Sequence, residues 1–266
     1  MKQLCDDLLK ENEQLDEFVS QIEHDQWGWK TPFYTWTVYD QLAHLHCFDL
    51  AVLLAIQNPR DFVEREVVSF INDLKQKIRI ADIARNRLGD LPPEELRRNW
   101  HITYRKMVEA FSKIDPKARM PWYGPEMGAR SSATARLMET WAHGQDLFDT
   151  FSVKRSPTER LVHIAHLGVS TFAWSFLNRG IVVPSEKPYV ELISPGENVW
   201  KWNEPSGCHY VKGTAEEFCL VVTQRRNVVE TSLQSSGSGA AWMRIAQCFA
   251  GPASNPPEPR LAFHYP

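Results

Sequence analysis

No run in this chain approaches the roughly 18 consecutive apolar residues that a membrane-crossing helix needs. No sign of charge dominates either. Lys and Arg total 30 against 33 Asp and Glu, for a net charge of −3, so neither nucleic acid nor an anionic membrane is expected as a partner. C-x-x-C pairs are absent. The five cysteines, Cys5, Cys47, Cys208, Cys219 and Cys248, are odd in number and widely spaced, which argues against a disulfide framework and a thiolate zinc knuckle. They read as reduced packing residues. The chain also lacks a G-x-S-x-G, a phosphate-binding Walker loop, a G-x-G-x-x-G and an H-E-x-x-H. Its start, MKQLCDDLLKENEQLDEF, is acidic and amphipathic, unlike the basic-then-apolar pattern of a signal peptide. A cytoplasmic location is therefore expected.

What remains is an ordinary globular composition, 43% apolar and 24% charged, which suffices for a real core. At 266 residues the chain has room for two domains. Its character changes near residue 180, from helical spacing to short β-rich runs broken by Gly, Pro and Ser.

The first part predicts helices over about 2–24, 38–57, 61–88, 93–114, 133–151 and 157–178. Thr37 reads as an N-cap, with Asp40 completing a capping-box variant. Pro92 and Pro93 followed by Glu94 and Glu95 read as a helix start. The segment 119–130 reads as a loop. The second part predicts strands at 189–193, 199–202, 209–211, 218–223 and 228–231, a helical stretch over 240–249, and an extended proline-rich tail over 251–266. The expected organisation is α plus α+β: a helical bundle over 1–180 and a small α+β domain over 181–266.

Inward-pointing side chains on facing helices make metal sites in bundles. Glu139 and His143, four apart in METWAHGQD, share a helix face. The apolar run DQLAHLHCFD offers His44 and His46, which point about 200° apart, so only one can face such a site. Spacing does not choose between them. A carboxylate and two imidazoles suit zinc, with nickel and ferrous iron as alternatives, and leave positions open for water or substrate. His163 and His166, three apart, are a further pair more simply read as structural. Of the ten tryptophans, Trp27, Trp29, Trp36, Trp122 and Trp141 can line a pocket, although core packing accounts for most.

WTVYDQLAHL resembles the second-helix signature of the DinB-like (YfiT-like) metal-binding bundles, especially the mycothiol-dependent maleylpyruvate isomerase branch, whose W-T-x-x-D-x-x-x-H-L histidine is a metal ligand. ETWAHGQD matches the branch's E-x-x-x-H-x-x-D helix. The resemblance implies His44, rather than His46, with Glu139 and His143 as ligands on a DinB-like four-helix bundle carrying extra helices. It covers nearly the whole chain, and implies a sterol-carrier-like shape for the C-terminal domain. An arginine of that domain contributes to the isomerase site, and the candidates here are Arg225 and Arg226.

The implied activity is a metal-dependent, thiol-dependent transfer or isomerisation of a small organic molecule lodged between the domains. A low-molecular-weight thiol would be a second cofactor. Trp36, Trp122 and Tyr123 would wall the substrate pocket, and an arginine would hold a carboxylate. Such bundles commonly dimerise, so a homodimer is allowed. The alternative expectation is a non-catalytic, metal-containing protein that binds an apolar or carboxylate ligand.

Overall fold

The computed structural model describes residues 1–259, which fall into two compact units divided after Lys154. In the first unit, α1 (Lys2–Val19) is followed by a 3-10 turn (His24–Gly28) and α2 (Val38–Gln57). Next come α3 (Pro59–Asp61), a π-helical turn (Phe62–Val67), α4 (Val68–Lys75), α5 (Ile80–Leu88) and α6 (Pro93–Lys113). A two-residue antiparallel pair, β1 (Arg119–Met120) with β2 (Met127–Gly128), leads into α7 (Ala129–Thr150).

The long helices form a bundle in which α1 and α2 each contact both α6 and α7. Its interior follows from apolar spacing. Leu4, Leu8, Leu15 and Val19 make one stripe of α1, and Leu96, Trp100, Tyr104, Met107 and Phe111 make one stripe of α6. Each fully buried Leu contributes about 1.5–3 kcal/mol. By contrast, α2 is buried nearly all round, because α5 covers the side that α6 and α7 leave open. Its start is fixed as expected: Thr37 accepts from the Asp40 N–H while the Asp40 carboxylate accepts from the Thr37 N–H at 2.8 Å.

The second unit has α8 (Leu161–Ser170), α9 (Phe172–Leu177), β3 (Tyr189–Ile193), β4 (Val199–Trp202), β5 (Tyr210–Thr214), α10 (Ala215–Val222), β6 (Gln234–Ser236) and α11 (Ser238–Met243). Its sheet runs β4-β3-β5-β6, with β3 and β5 parallel and both outer pairings antiparallel. α8 lies on α10, where Gly168 admits close contact: a Cβ there would stand 3.0 Å from both Phe218 and Val222.

Several expectations are corrected. Residues 218–223 are not a strand but lie largely in α10, capped by Thr214, which accepts from the Glu217 N–H. A short apolar run buried on most sides carries no period to tell helix from strand. Residues 228–230 form a 3-10 turn rather than a strand. The helix expected over 157–178 starts only at Leu161 and breaks at Thr171. Because α8 rests on α10 and α9 on α11, residues 155–180 group with the second unit and not with the bundle. The helix expected to reach residue 24 ends at Val19, and the one expected over 61–88 is divided by the π turn and a break at residues 76–79. α7 begins at Ala129 rather than near Ala133, with no side-chain cap. The last part of the tail expectation, 260–266, lies outside the described residues.

Candidate functional site

His44 sits in the second turn of α2, and Glu139 and His143 stand one turn apart on α7. The structure brings these three together. One ligand atom from each lies within 4.8 Å of the other two, the sole such cluster of three or more acidic, His or Cys side chains found among the described residues. Both imidazoles aim Nε2 at the same carboxylate oxygen: His44 Nε2 is 3.3 Å from Glu139 Oε2, and His143 Nε2 is 3.1 Å from it. Donor atoms about 2.0–2.1 Å from a tetrahedral zinc stand roughly 3.3 Å apart, so these spacings already suit a small divalent cation.

Burial and charge agree with that reading. The His44 and Glu139 side chains are 11% and 24% exposed, and His143 is nearly sealed. Burial pushes His44 below the ordinary imidazole value, against the opposing pull of Glu139, so its ring is neutral and able to donate a lone pair. Burial alone would raise the Glu139 carboxyl. Hydrogen bonds from His143 and His44 outweigh it and hold the group well below the usual carboxylate range. His46, on another face of α2, is buried and pushed down to about 4, and its Nδ1 has no hydrogen-bond partner. It is not part of the cluster.

Gln41, one turn before His44, lies against His143: its Oε1 is in hydrogen-bond contact with His143 Nδ1, and its Nε2 donates to Thr31 Oγ1 at 2.7 Å. Asp146 Oδ2 lies 3.9 Å from the same His143 nitrogen. Sequence reading passed over Gln41 and Thr31. The signal for Gln41 was its place three residues before His44 on the same helix face.

Aromatic rings surround the cluster. Trp36 stacks on His143, with centroids 5.8 Å apart and an 8° tilt, and lies 5.2 Å from His44. Phe33 meets His143 edge-on at 5.4 Å, and Phe48 lies 4.6 Å from His44. Trp36 and Phe33 are delivered by a tight turn in which Thr31 N–H donates to Trp36 O at 2.7 Å, and Tyr34 and Thr35 adopt left-handed φ of 46° and 61°. Such residues cost about 1–3 kcal/mol each, so the turn is held by what it packs against. The turn carries no Asn-Gly signal that would mark it in the sequence.

Trp122 and Tyr123 lie further out. Phe48 touches both, at 6.3 and 5.7 Å, and Tyr123 packs on Phe70 at 4.3 Å. The Tyr123 hydroxyl donates to Glu66, which also pairs with Arg87, so this loop is tied to the π-helical turn. Arg225 and Arg226 belong to the second unit. Arg225 is buried, its backbone N–H donating to Leu220 O at 2.8 Å and its Nη1 to Thr223 O at 2.7 Å, while Arg226 Nη1 donates to Arg225 O at 2.8 Å.

Residues 8–148 match the model of the mycothiol maleylpyruvate isomerase N-terminal domain. The chain belongs to that family. The match runs from within α1 to within α7 and includes all three clustered residues. Two Mycobacterium tuberculosis proteins, from strains CDC 1551 / Oshkosh and H37Rv and both described only as uncharacterized, are 37% identical to this family member over 247 residues, covering 92% of it and 95% of their own length. Among solved structures, the mycothiol-dependent maleylpyruvate isomerase superposes with a TM-score of 0.54 and a histidine-to-alanine mutant of it with 0.56. Each is 13% identical and covers 84% of this chain and 89% of the other. That likeness is one of fold, a helical domain followed by a small α+β domain. None of the described helices is long and apolar enough to cross a membrane.

Proposed function

We propose that this protein is a cytoplasmic, divalent-metal-dependent enzyme that transfers or isomerises a small organic substrate with the help of a low-molecular-weight thiol. The observation that carries the reading is the convergence of His44 Nε2 and His143 Nε2 on one Glu139 oxygen, 3.3 and 3.1 Å away. Family membership and the thiol-dependent chemistry in the family's name support it.

His44, Glu139 and His143 would hold the metal, zinc before nickel or iron by the chemistry of two imidazoles and a carboxylate. A bound cation would stabilise a thiolate and so supply a nucleophile at neutral pH. The protein's own groups do the rest. Glu139 supplies the single negative charge of the set, so the bound ion keeps a net positive charge toward an anionic thiolate. Trp36, Phe33 and Phe48 exclude water from the donor atoms and offer flat apolar surface to a substrate. Trp122 and Tyr123 form the outer wall on this reading.

The test is elemental analysis of tag-free protein after reconstitution, wild type beside His44→Ala and Glu139→Gln, followed by a screen of thiols with electrophilic and cis-unsaturated acids. About one equivalent of metal in the wild type, its loss in both variants and metal-dependent thiol chemistry are expected. A reconstituted wild type without metal would overturn the reading.

A further inference from the structure

The cluster has an asymmetry. His44 Nδ1 has no hydrogen-bond partner among the described residues, whereas His143 Nδ1 faces two oxygen acceptors. One is Gln41 Oε1, in direct contact, and the other is the Asp146 carboxylate at 3.9 Å. The Gln41 amide is oriented from behind, since its Nε2 donates to Thr31 Oγ1 at 2.7 Å, which turns the carbonyl end toward the imidazole. Thr31, Gln41 and His143 are all buried, so no solvent competes for these bonds. Thr31 is itself fixed, because its N–H closes the tight turn that places Trp36.

Resting on the metal reading above, we infer that Gln41, oriented by Thr31, is a positioning residue that keeps the proton of His143 on Nδ1 and so leaves the Nε2 lone pair for the cation. The physical reason is that once a cation takes Nε2 the proton must sit on Nδ1, and what faces Nδ1 is acceptor-only. A carbonyl oxygen and a carboxylate each favour an N–H there, and a neutral imidazole has one N–H to give. Nε2 then points an unshared pair at the Glu139 oxygen 3.1 Å away, an arrangement that repels unless a cation lies between them. The same contact fixes the ring's rotation about its side-chain axis. Outer partners of this kind are worth about 10–100-fold in metal affinity.

Two measurements test this, and they fail separately from the metal reading. Long-range proton–nitrogen NMR of the zinc-loaded wild type reports directly which nitrogen of His143 carries the proton and which meets the metal. A proton on Nδ1 with zinc on Nε2 is expected, and zinc on Nδ1 would overturn the inference even though the protein binds zinc. Zinc affinity is then read by competition with a chromophoric chelator. Gln41→Leu is expected to bind about tenfold to hundredfold more weakly. Gln41→Glu, which keeps an acceptor oxygen, is expected to bind at least as tightly as the wild type. Thr31→Val, which frees the amide to flip, is expected to fall between Gln41→Leu and the wild type. Equal losses in Gln41→Leu and Gln41→Glu at unchanged helical content would reduce Gln41 to packing and overturn the inference, as would unchanged affinity in Gln41→Leu. Should Gln41→Leu fail to fold, the NMR result and Thr31→Val still decide it.

Discussion

Asp49 is fully buried on α2, five residues after His44, and joins three helices of the bundle. Its Oδ1 accepts from Arg136 Nε of α7 at 2.9 Å, and its Oδ2 accepts from the Trp100 indole N–H of α6 at 3.0 Å. Arg136 is only 3% exposed and also donates to Leu45 O at 3.3 Å. The pair therefore ties the helix that carries His44 to the helix that carries Glu139 and His143. Asp49→Ala would leave a guanidinium charge uncompensated in the core, a loss of about 3–5 kcal/mol, and would strand the Trp100 N–H, a group whose lost bond is worth about 1 kcal/mol. The expected total is about 4–6 kcal/mol. Removing both charges is a different perturbation. Asp49→Leu with Arg136→Met exchanges two desolvated ions for apolar volume and should lie within about 2 kcal/mol of the wild type. Urea unfolding of the metal-free protein, followed by circular dichroism, measures both. A loss under about 1 kcal/mol for Asp49→Ala, or a double variant as damaged as the single one, would refute the reasoning.

Asp40 gives a pH-dependent case. Burial acts to raise its carboxyl, but hydrogen bonds from Arg85 and Thr37 prevail and hold it below the ordinary value of 3.8. A carboxyl depressed on folding contributes stability above its unfolded value and loses it as pH falls through the folded one. The deficit of Asp40→Asn, about 1–2 kcal/mol at pH 7, should therefore shrink in urea titrations below about pH 4, and a deficit constant down to pH 2 would contradict this. Among the five cysteines only Cys208 is exposed, and burial pushes the Cys47 thiol up to about 11. One equivalent should react with a disulfide reagent in the native protein and five after denaturation, with Cys208→Ser abolishing the native signal. In α11, a Cβ on Gly239 would collide with Tyr210 O, a backbone atom that cannot swing away. Gly239→Ala should cost about 1–3 kcal/mol, read as a lowered midpoint, whereas an unchanged midpoint would show that the contact relaxes.

Much of the local structure was legible along the chain because its causes are local. The Thr37–Asp40 box, the Pro93 start of α6 and the strand at 189–193 each rest on a few neighbouring residues and stand where their signals placed them. The pairing of Glu139 with His143 needed only the helical repeat. The choice of His44 over His46 was not available from spacing and came from a family motif. In the structure His44 Nε2 lies beside Glu139, and His46 is not in the cluster.

Other features were settled by contacts far apart in sequence. The apolar run ending in α10 takes its helical form under α8, and residues 155–180 join the second unit because α8 and α9 find their partners there. His44 and Glu139 are 95 residues apart, Gln41 and His143 are 102 apart, and Asp49 and Arg136 are 87 apart. By itself the sequence determined where the long bundle helices lie and which of their side chains share a face, since propensity, capping and periodicity act within a turn or two. Only the tertiary structure decided which faces meet, and hence which nitrogen of His143 faces Gln41 and which faces Glu139, because that depends on how α2 and α7 pack together inside the bundle.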